Sequence, residues 1–134
     1  MRFNAAVLTI SDKGYAGERE DLSGPLLARS LEALGATVRA ARVLTDESEL
    51  IQAELRALAD GGDIDLIVTT GGTGAAPRDW TPEATMAVIE RPVPGLAELL
   101  RWKGYDHTPR AVLSRGVAGL RGRCLIINVA GSQG

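Results

Sequence analysis

Apolar and polar positions along this chain fall into blocks of two periods. Ala5-Ala6-Val7-Leu8-Thr9-Ile10, Asp65-Leu66-Ile67-Val68-Thr69-Thr70 and the segment Arg123 to Val129 are short runs rich in branched residues. That is the pattern of strands buried on both faces of a parallel sheet. Thr37 to Leu44 alternates weakly and predicts one more strand. Between these runs the spacing lengthens to a helical face: Leu26, Leu27, Ser30, Leu31 and Leu34, then Leu50, Ile51, Leu55, Leu58 and Ala59, then Leu96, Leu99, Leu100 and Trp102.

The punctuation fits these elements. Asp21 or Ser23 caps the first helix, Pro25 sits in its first turn, and Gly35 ends it. Thr45 to Glu49 opens the second helix, with Asp46-x-x-Glu49 spaced as a capping box, and Gly61-Gly62 stops it. Thr81 as N-cap with Pro82 at the first helical position starts a third, broken at Arg91-Pro92-Val93-Pro94-Gly95. Gly119 to Gly122 reads as a turn before the last strand. Strands alternating with helices over short links predict an α/β fold in three layers, a mostly parallel doubly wound sheet flanked by helices. At 134 residues the chain is one domain. It stops where a further helix is expected, so residues 1–134 are expected to lack the C-terminal helix of the domain.

The third apolar run ends in Thr69-Thr70-Gly71-Gly72-Thr73-Gly74, hydroxyls and bare amides suited to phosphate or ribose. In an open α/β sheet, ligands sit beyond the carboxyl ends of the strands, where this loop lies. It is not a P-loop, because no Gly-Lys-Ser/Thr follows, and it lacks the third glycine of the dinucleotide fingerprint. Polar small-residue loops also follow the other strands, at Ser11-Asp12, Thr45-Asp46 and Asn128 to Ser132. Their convergence on one edge is a stronger signal than any one loop.

Composition narrows the partner class. A net charge of −2 leaves no basic excess for nucleic acid. Aromatics are only 4% of the chain, so the core must be aliphatic. Arginine far outnumbers lysine, which favours forked contacts to phosphate or carboxylate. Cys124, the single cysteine, lies within an apolar run and reads as a small buried hydrophobe. No run approaches a membrane span and Met1-Arg2-Phe3-Asn4 does not open a secretory signal, so a cytoplasmic protein is expected. One histidine, His107, permits no Ser-His-Asp or Cys-His arrangement, and zinc-type spacing is absent. Two carboxylates, Asp46 and Asp79, each stand just past a strand end. Paired carboxylates beside a phosphate site commonly hold Mg2+. Their alternative readings are a helix cap for Asp46 and a turn residue for Asp79.

Taken in order, several motifs resemble the MogA/MoaB family of molybdenum-cofactor biosynthesis. They are Thr9-Ile10-Ser11-Asp12, Asp21-x-Ser23-Gly24-Pro25, Thr69 to Gly74, Arg78-Asp79-x-Thr81-Pro82-Glu83-Ala84, Pro94-Gly95, Ser114-Arg115 and Asn128-x-x-Gly131-Ser132. The resemblance covers essentially the whole chain. It implies an ATP:molybdopterin adenylyltransferase that joins AMP to the terminal phosphate of the pterin, with Mg2+ and release of pyrophosphate. The family's essential acidic residues fall on Asp46 and Asp79, expected both to act in catalysis and to hold the metal. Its nucleotide and pterin contacts fall on Ser11, Gly71, Gly72, Thr73, Gly74, Ser114, Arg115, Gly131 and Ser132, with Arg115 placed to offset developing charge. Family members are usually trimers, sometimes hexamers, and a MoeA-like metal-insertion partner is implied. The family's last motif usually has proline where this chain has Ala130, which makes that turn less rigid. The competing readings are a catalytically silent member that binds pterin or nucleotide, and a trimeric scaffold of gephyrin type.

Overall fold

A computed structural model of the chain describes residues 1–18 and 20–131. Six strands form one sheet in the order β2-β1-β3-β6-β5-β4. Strands β1 (Phe3–Ile10), β2 (Ala36–Leu44), β3 (Leu66–Thr70) and β6 (Cys124–Val129) run parallel. Strands β5 (Ala118–Arg121) and β4 (Arg91–Pro92) add an antiparallel edge. The helices are α1 (Asp12–Tyr15), α2 (Ser23–Ala33), α3 (Ser48–Asp60), α4 (Thr81–Val88) and α5 (Pro94–Tyr105), followed by a 3₁₀ turn over Pro109–Leu113. The expected mostly parallel, helix-flanked α/β sheet is therefore present.

Successive residues of a strand point to opposite faces, so each buried strand feeds two cores. Ala6, Leu8 and Ile10 of β1 join Ile67, Ile126 and Cys124 under Ile51 and Leu55 of α3 and Ala84 and Val88 of α4. Ala5 and Val7 join Val68 under Leu31 of α2. Burial pushes the Cys124 thiol up to about 11, consistent with a packing role and not a nucleophile.

The structure corrects three local expectations. Gly119–Gly122 is not simply a turn: residues 118–121 are β5, and only the link around Gly122, at φ +56°, turns. Gly119 is glycine because a Cβ there would overlap Ile89 and lie 2.8 Å from the Arg91 carbonyl oxygen. A strand of four residues with a glycine at its second position carries no period, which is why it was illegible. Thr81 is the first residue of α4, behind Trp80 at the cap position, and not its N-cap. Asp46 makes no capping box; α3 starts after Glu47, without a side-chain cap. Leu22 holds the cap position of α2, and Asp21, one residue earlier, accepts the Gly24 N–H at 2.9 Å.

Asn128, from the last motif, ties the layers together. Its amide donates to Thr69 Oγ1 at 2.9 Å and to Thr85 Oγ1 at 3.0 Å, and its carbonyl accepts the Val117 N–H at 3.1 Å. Thr69, Thr85 and Asn128 are buried, joining β3, β6 and α4 at the site end of the sheet. Asn128→Ala is expected to cost about 2–4 kcal/mol, because two hydroxyls and one amide lose a buried partner together. Denaturant unfolding measures it, and a loss below about 1 kcal/mol would contradict the network's role.

Candidate functional site at the sheet's switch point

From β1 the chain moves outward to β2, then returns past β1 to β3. The loops after β1 and β3 therefore leave in opposite directions, and a crevice opens between them. A cleft of about 470 Å³ lies there, lined by Ser11 and Asp12 after β1, Asp46 after β2, Gly71, Gly72, Ala76 and Asp79 after β3, and Gly131 after β6. Asp21 at the start of α2 and Lys13 of α1 complete it.

The glycine loop has this shape for steric reasons. Gly71 and Gly72 take φ of +99° and +69°, a region other residues rarely adopt. A Cβ on Gly71 would overlap the Ile10 carbonyl oxygen, and one on Gly131 would come within 2.9 Å of Gly71 Cα. The ends of β1, β3 and β6 thus touch through bare backbone. Gly71 N–H is bonded to the Val129 carbonyl at 3.3 Å, whereas no acceptor among the described residues takes the Gly72, Thr73 or Gly74 amides.

Asp12 and Asp46 lock the first two loops reciprocally. Asp46 N–H donates to Asp12 Oδ1 at 2.9 Å, and Asp12 N–H donates to Asp46 Oδ2 at 3.1 Å. Arg78 grips Asp12 with two bonds, Nε at 2.6 Å and Nη2 at 3.0 Å. That guanidinium, helped by the Asp46 amide, holds the Asp12 carboxyl below the usual carboxylate range. Burial raises Asp46 instead, with the charges of Asp12 and Asp79 acting in the same direction. Asp79 closes its own turn by accepting the Ala76 N–H through Oδ2 at 2.9 Å.

The structure brings together Asp46, Asp79, Ser11, Gly71, Gly72 and Gly131 on one cleft. The Ser11 hydroxyl caps α1, accepting the Gly14 N–H at 3.0 Å. Thr73 and Gly74 stand behind this wall, their carbonyls accepting the Arg115 N–H at 2.8 Å and Arg115 Nε at 2.9 Å. Arg115 also donates to the Asp79 carbonyl at 2.7 Å and pairs with Glu83 at 2.5 Å. It braces the loop that carries Asp79 and does not line the cleft. Ser114 beside it accepts the Gly116 N–H through its hydroxyl. Ser132 lies outside the described residues.

Sequence reasoning gave no role to Lys13, Asp21 or Arg78, nor to Asp12 beyond its place in the Ser11-Asp12 loop, although Asp12, Lys13 and Asp21 line the cleft and Arg78 pairs with Asp12. The signal was available for three of them, since Asp12, Asp21 and Arg78 stand inside the quoted motifs. Arg78 also borders a second opening of about 570 Å³ that shares Asp46 with the first.

The charge of the cleft limits its ligand. Carboxylates outnumber cations along it, so bare phosphate would meet repulsion. Among the described residues no group of three acidic, histidine or cysteine side chains is placed to hold a metal alone. Two carboxylates with open amides nearby suit magnesium, which takes one or two protein carboxylates and completes its shell with water and substrate phosphates. The residues present fit such an ion.

Fold and crevice together define an α/β ligand-binding domain of the doubly wound class. The chain belongs to the molybdenum-cofactor biosynthesis domain family, whose model, described as "Probable molybdopterin binding domain", matches residues 6–134. It is 42% identical over 127 residues to a Helicobacter pylori protein named molybdopterin adenylyltransferase, covering 93% of this chain and 72% of that one. It is 41% identical over 128 residues to the Drosophila melanogaster molybdenum cofactor synthesis protein cinnamon. That match takes in 95% of this chain but only 21% of the Drosophila protein. Among solved structures, the molybdopterin biosynthesis enzyme MoaB from Thermus thermophilus superposes with a TM-score of 0.88 at 53% identity, covering 97% of this chain and 82% of that one.

Proposed function

We propose that this chain is a molybdopterin adenylyltransferase, joining AMP from ATP to the terminal phosphate of molybdopterin and releasing pyrophosphate. The observation that carries the reading is the convergence of Asp46 and Asp79 on one cleft with the glycine loop, at the switch point of the sheet. The names of relatives about 40% identical over most of the chain support the same reaction.

The chemistry asks for little beyond this. A phosphate monoester is already anionic near neutral pH, so no strong general base is needed. What the protein must do is align two phosphates and offset their charge. Asp46 and Asp79 would hold Mg2+, directly or through water. When bound, that ion neutralises phosphate charge and polarises the phosphoryl group under attack. The Gly72 amide, without an acceptor at the cleft wall, would donate to phosphate, and Lys13 and Arg78 supply cations at the rim. Arg115 serves by fixing the Asp79 loop. The residues of the last motif contribute at Gly131, beside Gly71.

The test is incubation with molybdopterin, ATP and Mg2+, followed by mass analysis for adenylylated pterin and a pyrophosphate-release assay. Both products are expected. Nucleotide binding without either product would instead mark a silent binding member.

The reading extends to assembly and location. Leu99, Leu100, Trp102 and Tyr105 of α5 stand exposed beside Val112 and Leu113 of the 3₁₀ turn. Such an apolar face fits burial against further copies of the chain, as in a homotrimer or a hexamer built from two. Trp102→Glu combined with Leu99→Arg is expected to convert the oligomer to monomers in light scattering; an unchanged mass removes this face as the interface. No helix among the described residues is long and apolar enough to cross a membrane, in keeping with action in the cytoplasm. The product would pass to a MoeA-like protein for metal insertion.

A further inference from the structure

Thr81 Oγ1 is the one buried side-chain polar atom among the described residues without a hydrogen-bond partner. Thr81 is fully buried, and Thr85, one turn along the same face of α4, is satisfied by Asn128. Buried hydroxyls left unpaired are unfavourable and uncommon, so each needs a reason. The surroundings of this one supply it. Thr81 N–H donates to the Gly72 carbonyl at 3.2 Å, which seats the start of α4 against the glycine loop. A Cβ on Gly72 would overlap Thr81 Oγ1 and stand 3.2 Å from Asp46 Oδ1. The bare face of Gly72 therefore has the orphan hydroxyl and a carboxylate oxygen as its two polar neighbours. Asp46 Oδ2 is taken by the Asp12 amide, and no donor among the described residues reaches Oδ1.

We propose that Thr81 is a positioning residue for the cleft: when a magnesium-bound nucleotide is seated, its hydroxyl donates to Asp46 Oδ1 and fixes that carboxylate. The proposal rests on the magnesium–nucleotide reading of the site. Carboxylates that ligate metals are themselves held by hydrogen bonds, and losing such a support typically costs roughly 10–100-fold in affinity or activity. Each carboxylate oxygen has two lone pairs, so one that accepts from a hydroxyl can still ligate. Thr81 touches neither substrate nor metal in this scheme, and the missing side chain at Gly72 is what lets it approach Asp46.

The test compares Thr81→Val, which keeps the shape and removes the donor, with Thr81→Ser, which keeps the donor. Two quantities are read: the melting temperature of the ligand-free protein, and the Mg2+ concentration giving half of the thermal shift at fixed ATP. The Val protein without ligand is expected to melt at or above the wild-type temperature, because it loses only an unpaired group. Its half-effect Mg2+ concentration is expected to rise about 10-fold, with the Ser protein matching wild type in both readings. Two results overturn the proposal. One is a Val protein that melts well below wild type without ligand or fails to fold, since the hydroxyl then already has a structural partner. The other is a Val protein that responds to Mg2+ and ATP as wild type does. If wild type itself shows no Mg2+-dependent shift with ATP, the magnesium–nucleotide reading fails and takes the proposal with it.

Discussion

Asp46→Asn is expected to lower adenylyl transfer by about 100-fold or more while leaving the ligand-free protein slightly more stable. The loss follows from removing a charged oxygen donor that magnesium requires, since an amide is a far weaker ligand for a hard cation. The gain follows from the environment of the carboxylate. Burial raises Asp46, and the charges of Asp12 and Asp79 oppose its ionisation further. A folded-state value above the unfolded one means that stability is fully present below the unfolded value and declines as pH rises through the folded one. At neutral pH the wild-type protein therefore carries an unfavourable charge that asparagine does not. An asparagine carbonyl still accepts the Asp12 N–H, so the link between the first two loops survives. Asp46 is only half-buried, and solvent screening keeps the gain small. The advantage of asparagine should fade as pH falls toward 3.8 and vanish well below it, where the carboxyl is protonated in both states. Parallel thermal melts and turnover assays decide the matter, and a mutant both less stable and equally active would refute the assignment. Asp79→Asn should lose turnover to a similar degree with ATP binding largely kept, because its turn bond to the Ala76 amide needs only an oxygen acceptor. Equal loss of binding and turnover, or unchanged turnover, would count against a role in the reaction.

Gly71→Ala is expected to destabilise the protein by about 3 kcal/mol or more and to abolish activity with it. A non-glycine residue at φ +99° costs about 1–3 kcal/mol in backbone strain alone. The new Cβ would also overlap the Ile10 carbonyl oxygen, which ends β1 and cannot rotate away as a side chain can. Relief requires β1 and β3 to separate at the point where Ser11, Asp12 and Gly131 are positioned. Gly62→Ala is the matched control: φ is +84°, but nothing lies within 4 Å of the added carbon. Chemical denaturation of both variants separates strain from overlap. Equal losses would show that crowding at the meeting of the strands contributes nothing.

Particular elements show how far the sequence could be read. The strands β1, β3 and β6 were legible because burial on both faces leaves an unbroken apolar run. The helices α2 and α3 were legible because one buried face imposes a helical spacing. The antiparallel strands β4 and β5 were not: two and four residues long, with Pro92 and Gly119 within them, they are specified by pairing partners and close contacts that no local pattern records. The aspartates show the same divide. Asp46 has the spacing of a helix cap, yet its carboxylate turns across the sheet to the Asp12 amide, 34 residues away in the chain.

The sequence by itself determined the fold class, the order of the main elements and the set of loops at the carboxyl ends of the strands. Periodicity and turn residues are local properties and are written directly in the chain. Only the tertiary structure decided which residues face the cleft and which support it. Arg115, expected beside phosphate, braces the Asp79 loop from behind, while Asp12 and Arg78 stand at the rim as an ion pair. Asn128 became a buried tie between layers, and Thr81 became an unpaired hydroxyl beneath Gly72. The reason is geometric: a side chain's role depends on what the packing of distant segments sets against it, and spacing along the chain carries no record of that.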